Sequence, residues 1–392
     1  QKTLTLDDVL DTLPGRLRGA LGDKSFVARH IQPEQGWRDE YKALCERGHL
    51  PPGPLADDVQ TRLSWEMFSD LTYRAHTSPT LEATRLVATA IDPAKIDEIA
   101  ERALPRLREE LRLGQADGDA LSEAQARRLI DGILDALRRR GAVATDVMRH
   151  ASEDATRKRG PNFFTAHRKL GLHGRRVLPV PDPKNSTAPA PAILGSYVPG
   201  TTRLDAATGI SWTYGWLDRI FGTLPGPVAF VYPRYDEILA VILHHAEACG
   251  VLHRVTARDG VDLLLLAPEH ILVTTHRAIV GCSECARQET VPALDAEALR
   301  PCRRIGCEGV LRKLPESAAR RAASVYLERL FSSDRTHRVV GREHTGILKT
   351  DDRLALERDF IGGEHPWHPN LVSATATLEM GIDIGDLSSL LL

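Results

Sequence analysis

The chain has 392 residues, 42% of them hydrophobic and 27% charged, and a formal net charge of −2. That is an ordinary soluble composition, and at roughly 100–200 residues per domain it makes two to four packed units. It excludes a globally basic protein, so any nucleic-acid surface has to be a local patch. No apolar run approaches the ~20 residues that span a bilayer, and the best of them, Val261 to Leu266, reads as a buried strand. Gln1-Lys2-Thr3 carries neither an initiator Met nor a signal-peptide pattern. Leu390-Leu391-Leu392 stops in mid-strand, and the chain is expected to be an internal fragment of something longer.

Residues 1–60 form an irregular to helical lead-in, closed by the breakers Pro51-Pro52-Gly53-Pro54. From Thr61 to Arg140 the pattern is helical. Leu63, Phe68 and Leu71 recur at helix spacing after Trp65. Ala94 to Leu113 carries Ile96, Ile99, Ala103, Leu107 and Leu111 on one face. Past the polar turn Gln115 to Asp119, Ser122 opens a helix with Leu129, Ile130, Ile133, Leu134 and Leu137 as its stripe and Gly141 as its stop. A short strand, Ala142-Val143-Ala144, precedes the cations Arg157, Lys158, Arg159, Arg168, Lys169, Arg175 and Arg176. Over residues 61–180 this order fits a winged-helix-like accessory domain, and equally a plain helical bundle with a solvated basic loop.

Residues 181–275 read as a mixed α+β segment. The Pro-, Ala- and Ser-rich residues 178–201 look like a linker. Gly209 to Trp216 and Pro227 to Tyr232 have β character, Asp236 to Ala248 is helical, and Leu252 to Thr256, Val261 to Leu266 and Ile271 to Thr275 are strands. Asp236-Glu237 mimics a metal-binding acidic motif after an apolar run and reads as the polar start of its helix.

Of six cysteines, Cys45 and Cys249 are scattered singles. The others, Cys282, Cys285, Cys302 and Cys307, form C-x2-C-x16-C-x4-C. Two short-spaced pairs separated by a loop suit a tetrahedral thiolate site, each pair forming a knuckle that aims its sulfurs at one point. A redox disulfide needs no second pair. Purely structural buried cysteines belong in an apolar period, not among Ser, Glu and Arg. Residues 276–312 are therefore expected to be a module holding structural Zn2+. A zinc site with otherwise unpaired cysteines argues for a reducing, cytoplasmic setting.

Within residues 313–392, Val339-Val340 reads as a strand leading to Arg342-Glu343-His344-Thr345-Gly346. Thr350-Asp351-Asp352 starts a helix, with Thr350 as N-cap and acids where the helix dipole favours them. Leu354, Phe360 and Ile361 give that helix a buried side, and Gly362-Gly363 ends it. Leu371 to Ala374 is the next strand, followed by the turn Thr375 to Ile384. Strand, helix, strand is the parallel arrangement of a RecA-like domain.

His344-Thr345-Gly346, Glu357-Arg358-Asp359-Phe360 and Ser373-Ala374-Thr375 through Gly381-Ile382-Asp383-Ile384 together resemble the second motor domain of superfamily 2 helicases. With the four-cysteine cluster upstream, the run Thr377 to Leu387 resembles the large bacterial DEAD/DEAH-type helicases with inserted accessory domains. That group includes those of the DISARM and Druantia phage-defence systems. The segment around Trp65, Tyr73-Arg74 and Thr80-Leu81-Glu82 resembles their accessory region. The resemblance implies α/β architecture with a mostly helical accessory region and a truncated RecA-like domain. It also implies double-stranded DNA as partner, other defence-system proteins beside it, no membrane, and ATP with Mg2+ in the full-length protein.

A translocase grips the sugar-phosphate backbone, so hydroxyls, backbone amides and a few cations serve it best. By resemblance Thr375 contacts a phosphate with Thr377 as its neighbour, and Gly381 permits the tight turn. Asp383 then faces the ATP site, and Arg342 to Gly346, with His344 and Thr345, forms a second backbone contact. Bland alternatives stand beside these: Thr375 and Thr377 as turn caps, Asp383 as a loop carboxylate, His344 as a structural hydrogen bonder.

No G-x-x-x-x-G-K-[ST] phosphate loop occurs in the sequence, and the arginine-finger motif expected shortly after Leu392 is not in it. Phosphoryl transfer needs phosphate cradle, Mg2+ carboxylate and arginine together, so this chain alone is expected to be inactive. The rival is a non-catalytic, zinc-dependent DNA-binding scaffold with a degenerate motor half. A zinc hydrolase is excluded, because no His/Glu ligand set with an open position is evident.

Overall fold

A computed structural model of the protein describes residues 3–30, 43, 45–47, 54–72, 81–139, 141–147, 212–225, 231, 234–256, 262–297, 299–304, 306–315, 329, 339–345, 347–364 and 368–374. Along the chain its helices are α1 (Leu6–Leu21), α2 (Asp23–His30), α3 (Pro54–Thr72), α4 (Pro93–Leu113), α5 (Glu123–Arg138), α6 (Trp212–Phe221), α7 (Tyr235–Ala248) and α8 (Thr350–Gly362). The strands are β1 (Thr3–Thr5), β2 (Ala88–Ile91), β3 (Leu252–Thr256), β4 (Asp262–Leu266), β5 (Ile271–Thr274), β6 (Arg277–Cys282) and β7 (Gln288–Pro292). After them come β8 (Arg300–Pro301), β9 (Val310–Lys313), β10 (Gly341–His344) and β11 (Leu371–Ala374). The chain is thus mixed α/β. It divides into one unit of Gln1–Leu13 with Ser64–Ser332 and a second of Pro14–Leu63 with Ser333–Leu392. No helix among the described residues is long and apolar enough to cross a membrane.

In the first unit the helices follow their apolar stripes. Asp92 caps α4 by accepting from the Ala94 N–H at 3.0 Å, Pro93 occupies the first turn, and Ile96, Ile99, Ala103, Leu107 and Leu111 are buried. Ser122 and Gln125 form a capping box that opens α5 and buries Leu129, Ile130, Ile133, Leu134 and Leu137. Gly141 stops it at φ 76°, a left-handed conformation that costs glycine nothing.

Two segments depart from the sequence expectation. Within the stretch expected to be helical, Ala88–Ile91 is a strand, because it pairs antiparallel with β5, which also pairs with β1. Trp212 to Trp216, expected as β, opens α6. Trp216, Leu217, Ile220 and Phe221 recur at helix spacing and are all buried, and that period decides the outcome. Trp216 lies against α5 where Gly132 leaves room: a Cβ there would stand 2.3 Å from the indole, whose Nε1–H donates to Leu129 O at 3.2 Å.

The expected strand Ala142-Val143-Ala144 is a single parallel bridge from Val143 to Leu266, extending the β3–β4 hairpin. Strands β7, β6, β9 and β8 form an antiparallel sheet in that order. Its β7 is tied to the turn after α3 by Thr290 Oγ1, which donates to Glu82 O at 2.7 Å.

In the second unit β10 and β11 pair in parallel, from Gly341↔Leu371 to His344↔Ala374. Helix α8 makes the crossover and ends on Gly363 at φ 53°. Its N-cap position is Lys349 with no side-chain cap bond, one residue before the expected Thr350. The expected buried side is not there either. Leu354 and Ile361 are 55% and 53% exposed and Phe360 is half-buried.

Candidate metal centre

Strand β6 delivers Cys282 to a turn that carries Cys285, and β8 delivers Cys302 to a second turn that ends at Cys307. Pairing of β6 with β9, Cys282 opposite Leu311, sets the two turns side by side. Each turn is closed by backbone. Cys282 N–H donates to Arg287 O at 2.8 Å and Cys302 N–H to Gly309 O at 2.9 Å, while Ser283 N–H crosses to Val310 O at 3.0 Å. Ala286 at φ 55° and Gly306 at φ 72° supply the left-handed corners. A Cβ on Gly309 would stand 2.4 Å from Cys282 Sγ, so only glycine lets the second turn close over that sulfur.

The four sulfurs lie within 4.8 Å of one another. Cys282 and Cys307 are 3.6 Å apart, as are Cys285 and Cys302. A disulfide bond is about 2.05 Å, so neither pair is one. A zinc–thiolate bond of about 2.3 Å in a tetrahedron puts sulfurs about 3.8 Å apart, and the observed spacing fits it. Cys282, Cys302 and Cys307 are buried with Val280, Val291, Ala296 and Leu311. The Arg287 backbone N–H, followed by the neighbouring cysteines, brings the Cys285 thiol down to about 6. Burial pushes Cys302 up to about 12. The surroundings of Cys285 thus favour its thiolate and those of Cys302 its thiol. Such a cluster can hold a metal ion such as zinc.

The helices brace the second turn. Arg219, on α6, donates to the carbonyls of Cys302 (2.7 Å), Gly309 (2.6 Å) and Cys307. Arg303, beside Cys302, donates to Asp131 Oδ2 at 2.8 Å and to Asp135 Oδ2, one turn apart on α5. Burial by itself pushes the Asp135 carboxyl up. The guanidiniums of Arg139, Arg303 and Arg138 outweigh it and hold Asp135 well below the usual carboxylate range. Glu289 on β7 follows the same balance, burial against Arg139, Arg303 and Arg287.

Sequence reasoning missed Arg219, Asp131, Asp135 and Arg303. The available signal was a carboxylate, Asp135, set between Leu134 and Leu137 in an apolar stripe, which demands a buried cationic partner.

Of the motor-motif residues, Arg342 and His344 lie on β10, with Thr345 just after it. His344 is 1% exposed, and its Nε2 is 2.7 Å from Glu357 Oε1 on α8, the geometry of a structural hydrogen bonder. Arg342 and Thr345 are half-buried. Gly346, Thr375, Thr377, Gly381 and Asp383 lie outside the described residues, as do the basic residues 157–176. The structure brings the four cysteines together, and it joins Arg342 and His344 to the strand that precedes Thr375. No family model, no curated protein and no solved structure matches the chain.

Proposed function

We propose that the chain is part of an ATP-driven DNA helicase or translocase of superfamily 2, of the DEAD/DEAH type used in phage defence or DNA processing. It would comprise a winged-helix-like accessory region, a zinc module and part of the second RecA-like motor domain. Support comes from one relationship. Strands β10 and β11 are parallel neighbours with His344 opposite Ala374, so the chain leaves both at the same sheet edge. Thr345-Gly346 follow one strand in sequence and Thr375-Ala376-Thr377 the other. In parallel α/β sheets that carboxyl edge is where ligands bind. There Thr345, Thr375 and Thr377 serve the phosphate backbone with hydroxyls, and Asp383, after the Gly381 turn, faces ATP and its Mg2+ in the full-length protein. Buried His344 orients β10 on α8 and does not touch DNA.

Zn2+ is structural in this reading, because four thiolates leave no open coordination position for a substrate. Cys282, Cys285, Cys302 and Cys307 hold it, and Arg219 and Arg303 orient their turn.

The test is ATP hydrolysis by the full-length protein with and without double- and single-stranded DNA, for wild type and Asp383→Ala. DNA-stimulated hydrolysis that collapses in the variant is the expected result. A full-length wild type that binds DNA without hydrolysing ATP would instead make the protein a zinc-dependent binding scaffold.

A further inference from the structure

The segment around Cys302 also forms one wall of a cleft of about 250 Å³, whose other walls are α5 and the start of α4, with Ile91, Ile96 and Trp216 among its apolar lining. Its arginines are not equally engaged. Arg303 is committed to Asp131 at 2.8 Å and to Asp135, and Arg127 to Asp97 at 2.5 Å. Arg300 reaches Asp295 only at 3.3 Å and Asp131 at 3.9 Å, beyond the 2.7–2.9 Å of a strong charge-assisted bond. Arg128 is exposed, and its guanidinium has no hydrogen bond or ion pair among the described residues. Two guanidiniums with donors to spare therefore line one concave surface from different walls, Arg128 from α5 and Arg300 from β8. Of the carboxylates that line it, Asp131 is paired with Arg303 at 2.8 Å, and Asp295 has the 3.3 Å approach of Arg300.

Carboxylate and phosphate both accept a guanidinium fork, and the tetrahedral phosphorus of a phosphodiester also lets its two non-bridging oxygens accept from cations on two sides. We propose that this cleft grips a phosphodiester of the nucleic-acid backbone, with Arg128 and Arg300 donating to it. The choice of a nucleic-acid ligand rests on the motor function proposed above; the cleft and its two cations do not. Cys302 stands between Arg300 and Arg303, so the metal-held turn fixes the Arg300 wall. Phosphate contacts carry no base information, and the grip is indifferent to sequence.

The experiment is fluorescence anisotropy of the zinc-loaded 392-residue chain with a labelled duplex and a labelled single strand of mixed sequence, titrated with salt. Each lost phosphate contact lowers the slope of log affinity against log salt by about 0.9 on duplex and about 0.7 on a single strand. Arg128→Ala/Arg300→Ala, which removes that one phosphate contact, should therefore flatten the slope by about 0.9 or about 0.7 on those substrates, whatever the sequence. Arg128→Ala alone, an exposed position that leaves the fold and zinc content unchanged, should flatten the slope by less than the double variant does. An unchanged slope, or no oligonucleotide binding by the wild type, overturns the proposal. Displacement of the oligonucleotide by polyglutamate as readily as by polyphosphate of equal charge would make the cleft an acidic-peptide site instead. The two proposals fail separately. Arginine-dependent slopes in a full-length protein without ATPase would keep the cleft and remove the motor, and DNA-stimulated ATPase with arginine-independent slopes would do the reverse.

Discussion

Arg303, the residue after Cys302, reaches 168 positions back along the chain to Asp135, in a helix with which it shares no local sequence. Asp135 is 4% exposed, accepts from Arg138 Nε at 3.0 Å and is ion-paired with Arg139 Nε at 2.6 Å. Removing it leaves several guanidiniums facing one another in the core. Breaking a buried ionic network costs about 3–5 kcal/mol, and Asp135→Ala should lose that much in urea unfolding. A loss below about 1 kcal/mol, the scale of an exposed pair, would mean that water reaches the cluster.

The same carboxylate sets an acid limit. Its folded pKa is depressed. Its stabilisation is therefore complete above the unfolded value of about 3.9 and drains away as pH falls below that value toward the folded one. Stability measured against pH should drop steeply below about pH 4 in the wild type. Asp135→Asn, less stable at neutral pH, should show a shallower acid limb. Parallel acid limbs would assign the drop to other carboxylates.

Arg219 is a positioning residue for the metal turn, since it bonds three of its carbonyls and no sulfur. Loss of partners that orient metal ligands commonly costs 10–100-fold in affinity. Arg219→Ala should weaken zinc binding by about that factor in competition with a chromophoric chelator. Arg219→Lys, which cannot span three acceptors with one fork, should recover only part of it. Equal zinc affinity in all three proteins would leave Arg219 as a packing residue.

Gly132→Ala probes the contact between α5 and α6. The new methyl would fall on the Trp216 indole, and overpacking of this kind costs about 1–3 kcal/mol, outweighing the roughly 1 kcal/mol by which alanine is the better helix former. A stabilised variant would show that α6 shifts freely.

His344→Ala and Glu357→Ala should each lower stability, because each leaves the other partner of a 2.7 Å bond unmatched, His344 at 1% exposure. Oligonucleotide affinity, measured where the variants remain folded, should be unchanged. A selective loss of affinity in His344→Ala with wild-type stability would return His344 to the nucleic-acid surface.

Much of this was legible in the residues, for physical reasons that differ by element. The metal cluster follows from cysteine spacing because ligand geometry is local to each turn. Helices α4 and α5 follow from caps and period, which are also local. What escaped was set by distant partners. β2 is a strand because β5 and β1 lie beside it. Trp212 to Trp216 reads as β locally, yet α5 offers a helix-spaced stripe the groove at Gly132. The expected buried side of α8 failed at Leu354 and Ile361, because apolar residues mark a core only where something covers them. Arg219 and Arg303 carry no motif, and only the tertiary fold points them at the cysteine turns.

Burial of the sulfurs has a kinetic consequence. Cys302, Cys307 and Cys282 are 1%, 8% and 9% exposed, and the carbonyls behind two of them are held by Arg219. A chelator in solution meets only the half-buried Cys285 side of the site, and reaches an ion behind the other three sulfurs once a turn swings open, a local unfolding event with its own free energy. Release would then proceed at the opening rate and stop rising once chelator is in excess. The time the ion stays bound becomes a clock for the breathing of one turn, separate from how tightly the thiolates bind.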